Sequence, residues 1–176
     1  WIFARLLPCI KKATGMKTYL IKSENYRQFS LSENEREAGQ LTYPKWFSFK
    51  AELLTDGQTY TYEPKGFWGT TIELKYHGRL VLNFKMHWNG QIIIQTHFDG
   101  IATDYVFKHK GILKSAYVLY TKEGEELVVL QPDYKWRTFS TDYTITASPS
   151  FEALVPKNIL LLTMVHCANY YMNVAS

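Results

Sequence analysis

Cysteine is nearly absent from this chain, with only Cys9 and Cys167 in 176 residues. Cys9 falls in the first fifteen residues, which read as an upstream extension, so the remainder holds one thiol and no internal disulfide. That usage excludes a disulfide-stapled scaffold and fits a reducing, cytoplasmic compartment. Ten glycines and six prolines are too few for a collagenous or low-complexity chain. No apolar run approaches the roughly 20 residues that a membrane-crossing helix needs. Catalytic and metal signatures are missing as well: there is no HExxH, no CxxC pair, no GxSxG, no P-loop and no GxGxxG. The sequence therefore predicts no enzyme and no metal or cofactor.

A strong charge of one sign is also lacking. The net charge is +4, but Arg5, Lys11 and Lys12 of the extension supply three of these, leaving +1 for Met16 to Ser176. A domain so close to neutral is not expected to bind nucleic acid. The extension does not fit a secretory signal, because Lys11 and Lys12 follow its apolar stretch rather than precede it. The expected organisation is an extension at 1–15 outside the fold and one domain over 16–176.

Aromatic residues, by contrast, are plentiful: 13 Tyr, 10 Phe and 5 Trp. They fit pleated, half-buried surfaces and favour sheet. Segments of strand character follow one another from KTYLIKS and YRQFSLS through QLTYPKWFSFKAELL, QTYTYEP, FWGTTIELKY, RLVLNFKMHW and QIIIQTHF to TDYVFKHK, KSAYVLYT, EELVVLQP and TDYTITAS. About a dozen strands divided by short turn signals point to an all-β sandwich or barrel.

Hydrophobic register makes one hairpin specific. A two-residue turn at Asn89 and Gly90 would mix polar and apolar side chains on both faces. A three-residue loop, Trp88-Asn89-Gly90, closes on His87 and Gln91. It sets Phe84 against Ile94, Met86 against Ile92 and Leu80 against Phe98, which makes one face apolar. Slipping by one residue would reverse every side chain, so the three-residue loop is predicted. A second hairpin is expected to turn at Lys122 to Glu125, with Ala116, Val118, Tyr120, Leu127 and Val129 as its apolar positions.

Helical signals come last. Ser148 and Pro149 form a helix start. After Pro156 comes NILLLTMVHCANYYMN, which has no polar face. It is too short to span a bilayer, so it must be surrounded by protein, and a closed barrel can do this. His166 within it is expected to be a core histidine with a partner on the wall, and Cys167 a small buried hydrophobe.

The order of these elements resembles the tubby C-terminal-like superfamily, which includes tubby proteins, phospholipid scramblases and LURP-one-related proteins. The resemblance covers about Lys17 to Asn173. It rests on QLTYPKWFSFKAELLTDGQTYTYE, on FWGTTIELKYHGRLVLNFKMHW, and on DYTITAS leading into the terminal helix. It implies a mainly β fold, a closed antiparallel barrel of about twelve strands with the hydrophobic helix of about 157–172 threaded through it. Activities differ among the branches, from phosphoinositide binding to lipid scrambling. No binding residue carries over, because the basic pocket of the tubby proteins is not matched residue by residue. A scramblase-type calcium site and long hydrophobic tail are also lacking.

The candidate ligand-binding residues are basic: Lys108, Lys110 and Lys114 around Gly111, with Lys135 and Arg137 further on. Tyr105, Phe107, Trp136 and Phe139 are interleaved with them, a combination suited to a phosphate-bearing headgroup. The plainer reading is an edge strand guarded by lysines. The expected function is a non-enzymatic binding or scaffold barrel whose partner is anionic phospholipid at a membrane surface or another protein. The alternative is a lipocalin-like carrier of a small apolar ligand. The oligomeric state stays open.

Overall fold

The computed structural model describes residues 15–45, 48–66, 69–111 and 115–174, with the side chains of 173 and 174 left out. The expected extension, apart from Gly15, and the candidate Lys114 lie outside the described residues. Twelve strands run β1 (Lys17–Asn25), β2 (Gln28–Glu33), β3 (Arg36–Thr42), β4 (Ala51–Thr55), β5 (Gln58–Lys65) and β6 (Thr71–Tyr76). They continue as β7 (Arg79–Met86), β8 (Ile92–Thr96), β9 (Thr103–Lys110), β10 (Ala116–Thr121), β11 (Glu126–Lys135) and β12 (Ser140–Ala147). Each strand pairs antiparallel with its sequence neighbours, and β12 returns to β1, so the sheet closes into a barrel. One rim, here the upper, lies where odd-numbered strands end.

Alternation along the strands builds the barrel wall. In β1, Tyr19 and Ile21 are buried while Thr18, Leu20 and Lys22 are exposed, and β4 repeats the pattern with Ala51 and Leu53 inside. The outer wall carries ion pairs, among them Glu73 between Lys65 and Lys75 at 2.7 and 3.2 Å.

The β7–β8 hairpin has the register expected from hydrophobicity: Phe84 pairs with Ile94 and Met86 with Ile92. The His87 N–H donates to the Gln91 carbonyl at 2.7 Å, and Gly90 takes φ of 77°, a left-handed conformation in which glycine is at ease. Three expectations need correction. QLTYPKWFSFKAELL is not one strand: β3 starts upstream at Arg36, and Pro44 opens a connection before β4. In the β10–β11 hairpin the core-facing side chains are Tyr117, Leu119, Val128 and Leu130, the set opposite to most of those expected. Both faces of that hairpin are apolar, so periodicity alone did not distinguish them. The lysines of β9 do not guard an edge, because β9 is bonded to both β8 and β10.

Two helices follow β12. The Ser148 hydroxyl accepts from the Phe151 N–H at 3.2 Å and caps α1 (Pro149–Glu152). Then α2 (Lys157–Val174) enters at the lower end of the barrel and runs upward, about 27 Å at the usual rise. It touches the wall on all sides. Leu162 sits under Gly39 of β3, the Thr163 hydroxyl lies 2.7 Å from that of Tyr62 on β5, and the His166 ring meets Phe84 of β7. Tyr171 packs on Tyr117 of β10, and Asn169 accepts from Tyr143 of β12. Ile159 to Ala168 are buried without a break, so the lumen is filled by α2. Below, Glu152 accepts from Tyr19 at 2.6 Å and pairs with Lys157 at 2.9 Å, which anchors the helix start. No helix among the described residues is long and apolar enough to cross a membrane.

Candidate functional site

Closure of the barrel around α2 fills the lumen and leaves the outer wall and the two rims as the places where side chains can act, and the rims differ. Upper connections carry Arg27, Lys45, Lys50 and Arg137 and, among the described residues, no acid. Lower connections carry Glu35, Asp56, Asp99, Glu123 and Glu125 against Lys122, while Glu152 of α1 is paired with Lys157 and Lys17. The molecule is therefore polarised along the barrel axis although its net charge is small.

Aromatic side chains follow the same division. Trp88 on the β7–β8 turn is 98% exposed, and Trp136 and Phe139 on the β11–β12 turn are 84% and 85% exposed. Phe139 also has φ of 50°, a left-handed backbone that disfavours a bulky residue. Neither burial nor backbone preference accounts for phenylalanine there.

A cavity of about 320 Å³ opens at this rim. Its wall is made by Tyr26 of the β1–β2 turn, Phe29 of β2, Tyr43 and Lys45 after β3, and Tyr134, Lys135, Trp136 and Phe139 of the β11–β12 hairpin. Asn169 and Met172 of α2 form its floor. Hydrogen bonds brace the floor: the Tyr143 hydroxyl donates to Asn169 Oδ1 at 3.0 Å, and Asn169 Nδ2 donates to the Tyr43 oxygen at 3.0 Å. The Tyr43 hydroxyl also lies 2.6 Å from His166 Nδ1, a hydrogen bond whose direction follows the tautomer of the ring. Burial pushes His166 down to about 3, only partly opposed by the Phe49 backbone. Burial likewise pushes the Cys167 thiol well up, so it behaves as a small apolar side chain.

The sequence-predicted basic residues do not form one site. Lys108 leaves the outer wall of β9 and lies over the Tyr120 ring at 4.7 Å. Lys110 is paired with Glu126 at 3.0 Å. Lys135 borders the cavity and pairs with Asp142 at 2.7 Å, while Arg137 stands on the adjoining turn. Strand β10 separates the first pair from the second. Of the interleaved aromatics, Tyr105 and Phe107 point into the core, and Trp136 and Phe139 belong to the rim. Burial tends to raise the Asp142 carboxyl, but Lys135, the Ser23 N–H and Lys22 outweigh it and hold it below the ordinary value. Among the described residues, no group of three or more His, Cys, Asp or Glu is placed to hold a metal ion.

Sequence reasoning missed Trp88, Tyr26, Tyr43 and Lys45 as site residues. The available signal was positional, an aromatic residue in a turn too short to bury it, as in Trp88-Asn89-Gly90. Comparison with known proteins adds no name: the chain matches no protein-family model, no curated protein and no solved structure.

Proposed function

We propose that this chain is a tubby-like barrel that docks on an anionic membrane surface through its upper rim. The observation that carries the reading is the coincidence, on one rim, of the exposed rings of Trp88, Trp136 and Phe139 with basic connections free of acids among the described residues. Tryptophan and neighbouring aromatics partition into the headgroup region. Each Lys or Arg near an anionic surface adds about 1 kcal/mol. The acidic lower rim is repelled by the same surface, so the charge distribution also orients the barrel. The outer wall has charged ladders where a spanning barrel has an apolar band, which supports a barrel lying on the membrane rather than across it. The carrier alternative relied on an open lumen, and α2 occupies that space.

Vesicle flotation with the full chain tests the docking. Phosphatidylserine-containing vesicles should carry the protein and neutral phosphatidylcholine vesicles should not, with recovery falling as salt rises. The Trp88→Ser variant should float poorly while unfolding at an unchanged temperature, since that ring touches little. Equal recovery on both vesicle types would remove the membrane reading.

A further inference from the structure

The rim cavity has a composition of its own. Six rings, Tyr26, Phe29, Tyr43, Tyr134, Trp136 and Phe139, surround about 320 Å³, a volume at the small end of ligand pockets. Among the described residues, the charged side chains on its lining are Lys45 and Lys135. Lys135 is shared with Asp142, whereas Lys45 has no ion-pair partner among the described residues. The floor behaves differently from the mouth. It is the C-terminal end of α2, where backbone carbonyls concentrate partial negative charge. Asn169 at that floor already uses its carbonyl oxygen on Tyr143 and one amide hydrogen on Tyr43, so it makes little demand for a polar guest.

We infer that this cavity binds a small anionic amphiphile, with its apolar part among the rings and over Met172 and its carboxylate or phosphate at the mouth beside Lys45 and Lys135. The opposite polarity is disfavoured twice. An anionic head on the floor would meet the helix carbonyls, and a cationic head at the mouth would meet two ammonium groups, even though aromatic boxes otherwise attract quaternary ammonium. This goes beyond docking and does not depend on it, because a monomeric amphiphile can fill the cavity from solution. A free alkyl anion and a lipid drawn from a bilayer share this chemistry.

Titration of the full chain with 11-bromoundecanoate in the absence of vesicles tests the inference, with tryptophan fluorescence as the readout, since bromine quenches an indole that it touches. Quenching should saturate, and undecanoate and undecyl phosphate should compete while undecyltrimethylammonium should not. Trp136→Phe should remove the larger part of the quenching yet keep the affinity measured by calorimetry. Lys45→Gln should weaken binding about fivefold, as expected for a partly exposed charge pair. Ser48→Phe, which adds a ring to the lining, should abolish binding without lowering the unfolding temperature.

Non-saturating quenching indifferent to Lys45→Gln and Ser48→Phe would overturn the inference, as would equal competition by the cationic amphiphile. Vesicle flotation without bromoundecanoate binding would overturn the cavity and leave docking standing, and the reverse result would do the opposite. Mass spectrometry of protein recovered from phosphatidylserine vesicles then separates the sources: a co-purifying lipid supports capture from the bilayer, and its absence beside solution binding supports a free amphiphile.

Discussion

The Tyr43 hydroxyl lies 2.6 Å from Nδ1 of His166, joining the connection after β3 to the central helix inside the barrel. The same oxygen accepts from Asn169, and the His166 ring is packed 4.4 Å from Tyr62 and 5.4 Å from Phe84 between ring centroids. Burial among these rings disfavours an imidazolium, and the Phe49 backbone offsets only part of that penalty. The histidine is a neutral strut between the helix and the wall.

Acid should therefore weaken the fold well before the carboxylates protonate. The folded-state value of His166 is pushed down to about 3, against about 6.5 in the unfolded chain. Below about 6.5 the unfolded state takes up a proton that the folded state refuses, so stability falls with pH by about 1.4 kcal/mol per unit until the folded value is reached. The depressed carboxyls of Glu73 and Asp142 contribute stability that is lost only below their ordinary 4.5 and 3.8. Urea denaturation at pH values between those limits should show the slope in the wild type and lose most of it in His166→Leu.

Gly39 marks the closest approach of wall to helix. A Cβ there would stand 2.8 Å from the Leu54 carbonyl oxygen and 2.9 Å from Leu162 Cδ1. The backbone cannot give way without breaking the β3–β4 ladder. Gly39→Val should cost about 3 kcal/mol, at the upper end of overpacking penalties, read as a fall in the denaturation midpoint.

Removing the helix should remove the core. A chain ending at Val155 loses Ile159, Leu160, Leu161, Leu162, Met164 and Val165, all buried, at roughly 1.5–3 kcal/mol each. The sum, about 9–18 kcal/mol, is as large as the whole stability of an ordinary domain. The truncated chain should be insoluble or unfolded by circular dichroism, and a folded truncated barrel would contradict the threaded arrangement.

Phe139 should trade stability against binding. Asparagine tolerates a left-handed backbone and phenylalanine does not, so Phe139→Asn should stabilise by about 0.5–1 kcal/mol. The same substitution should reduce flotation on phosphatidylserine vesicles. A variant that is both more stable and equally well bound would show that this ring has no part in docking.

Asp142 holds the β11–β12 hairpin to β1. It accepts from the Ser23 N–H at 2.8 Å and faces Lys22 and Lys135 at 3.1 and 2.7 Å. Asp142→Ala leaves the buried Ser23 N–H without its acceptor, at a cost of about 1–3 kcal/mol. Hydrogen exchange should locate the loss at Ser23 and along the β11–β12 hairpin rather than across the barrel.

Local patterning was enough for much of the architecture. Hydrophobic alternation specified the β7–β8 register down to the residue, because a shift of one position would have put Phe84 and Ile94 into water. The apolar helix after Pro156 had to be enclosed, because no face of it could meet solvent. Periodicity was silent where both faces of a segment were apolar, so the inward side of β10 and β11 depended on which face met Tyr171. Composition could not reveal the opposition of basic and acidic rims, because a net charge averages over the axis that barrel closure creates. Nor could chain order foretell that Tyr26, Lys45, Trp136 and Asn169 would border one cavity, since contacts across a closed sheet depend on how β12 returns to β1. Sequence patterning governs what is near in the chain and what must be dry, whereas a site drawn from four separate elements exists only once long-range pairing has brought them together.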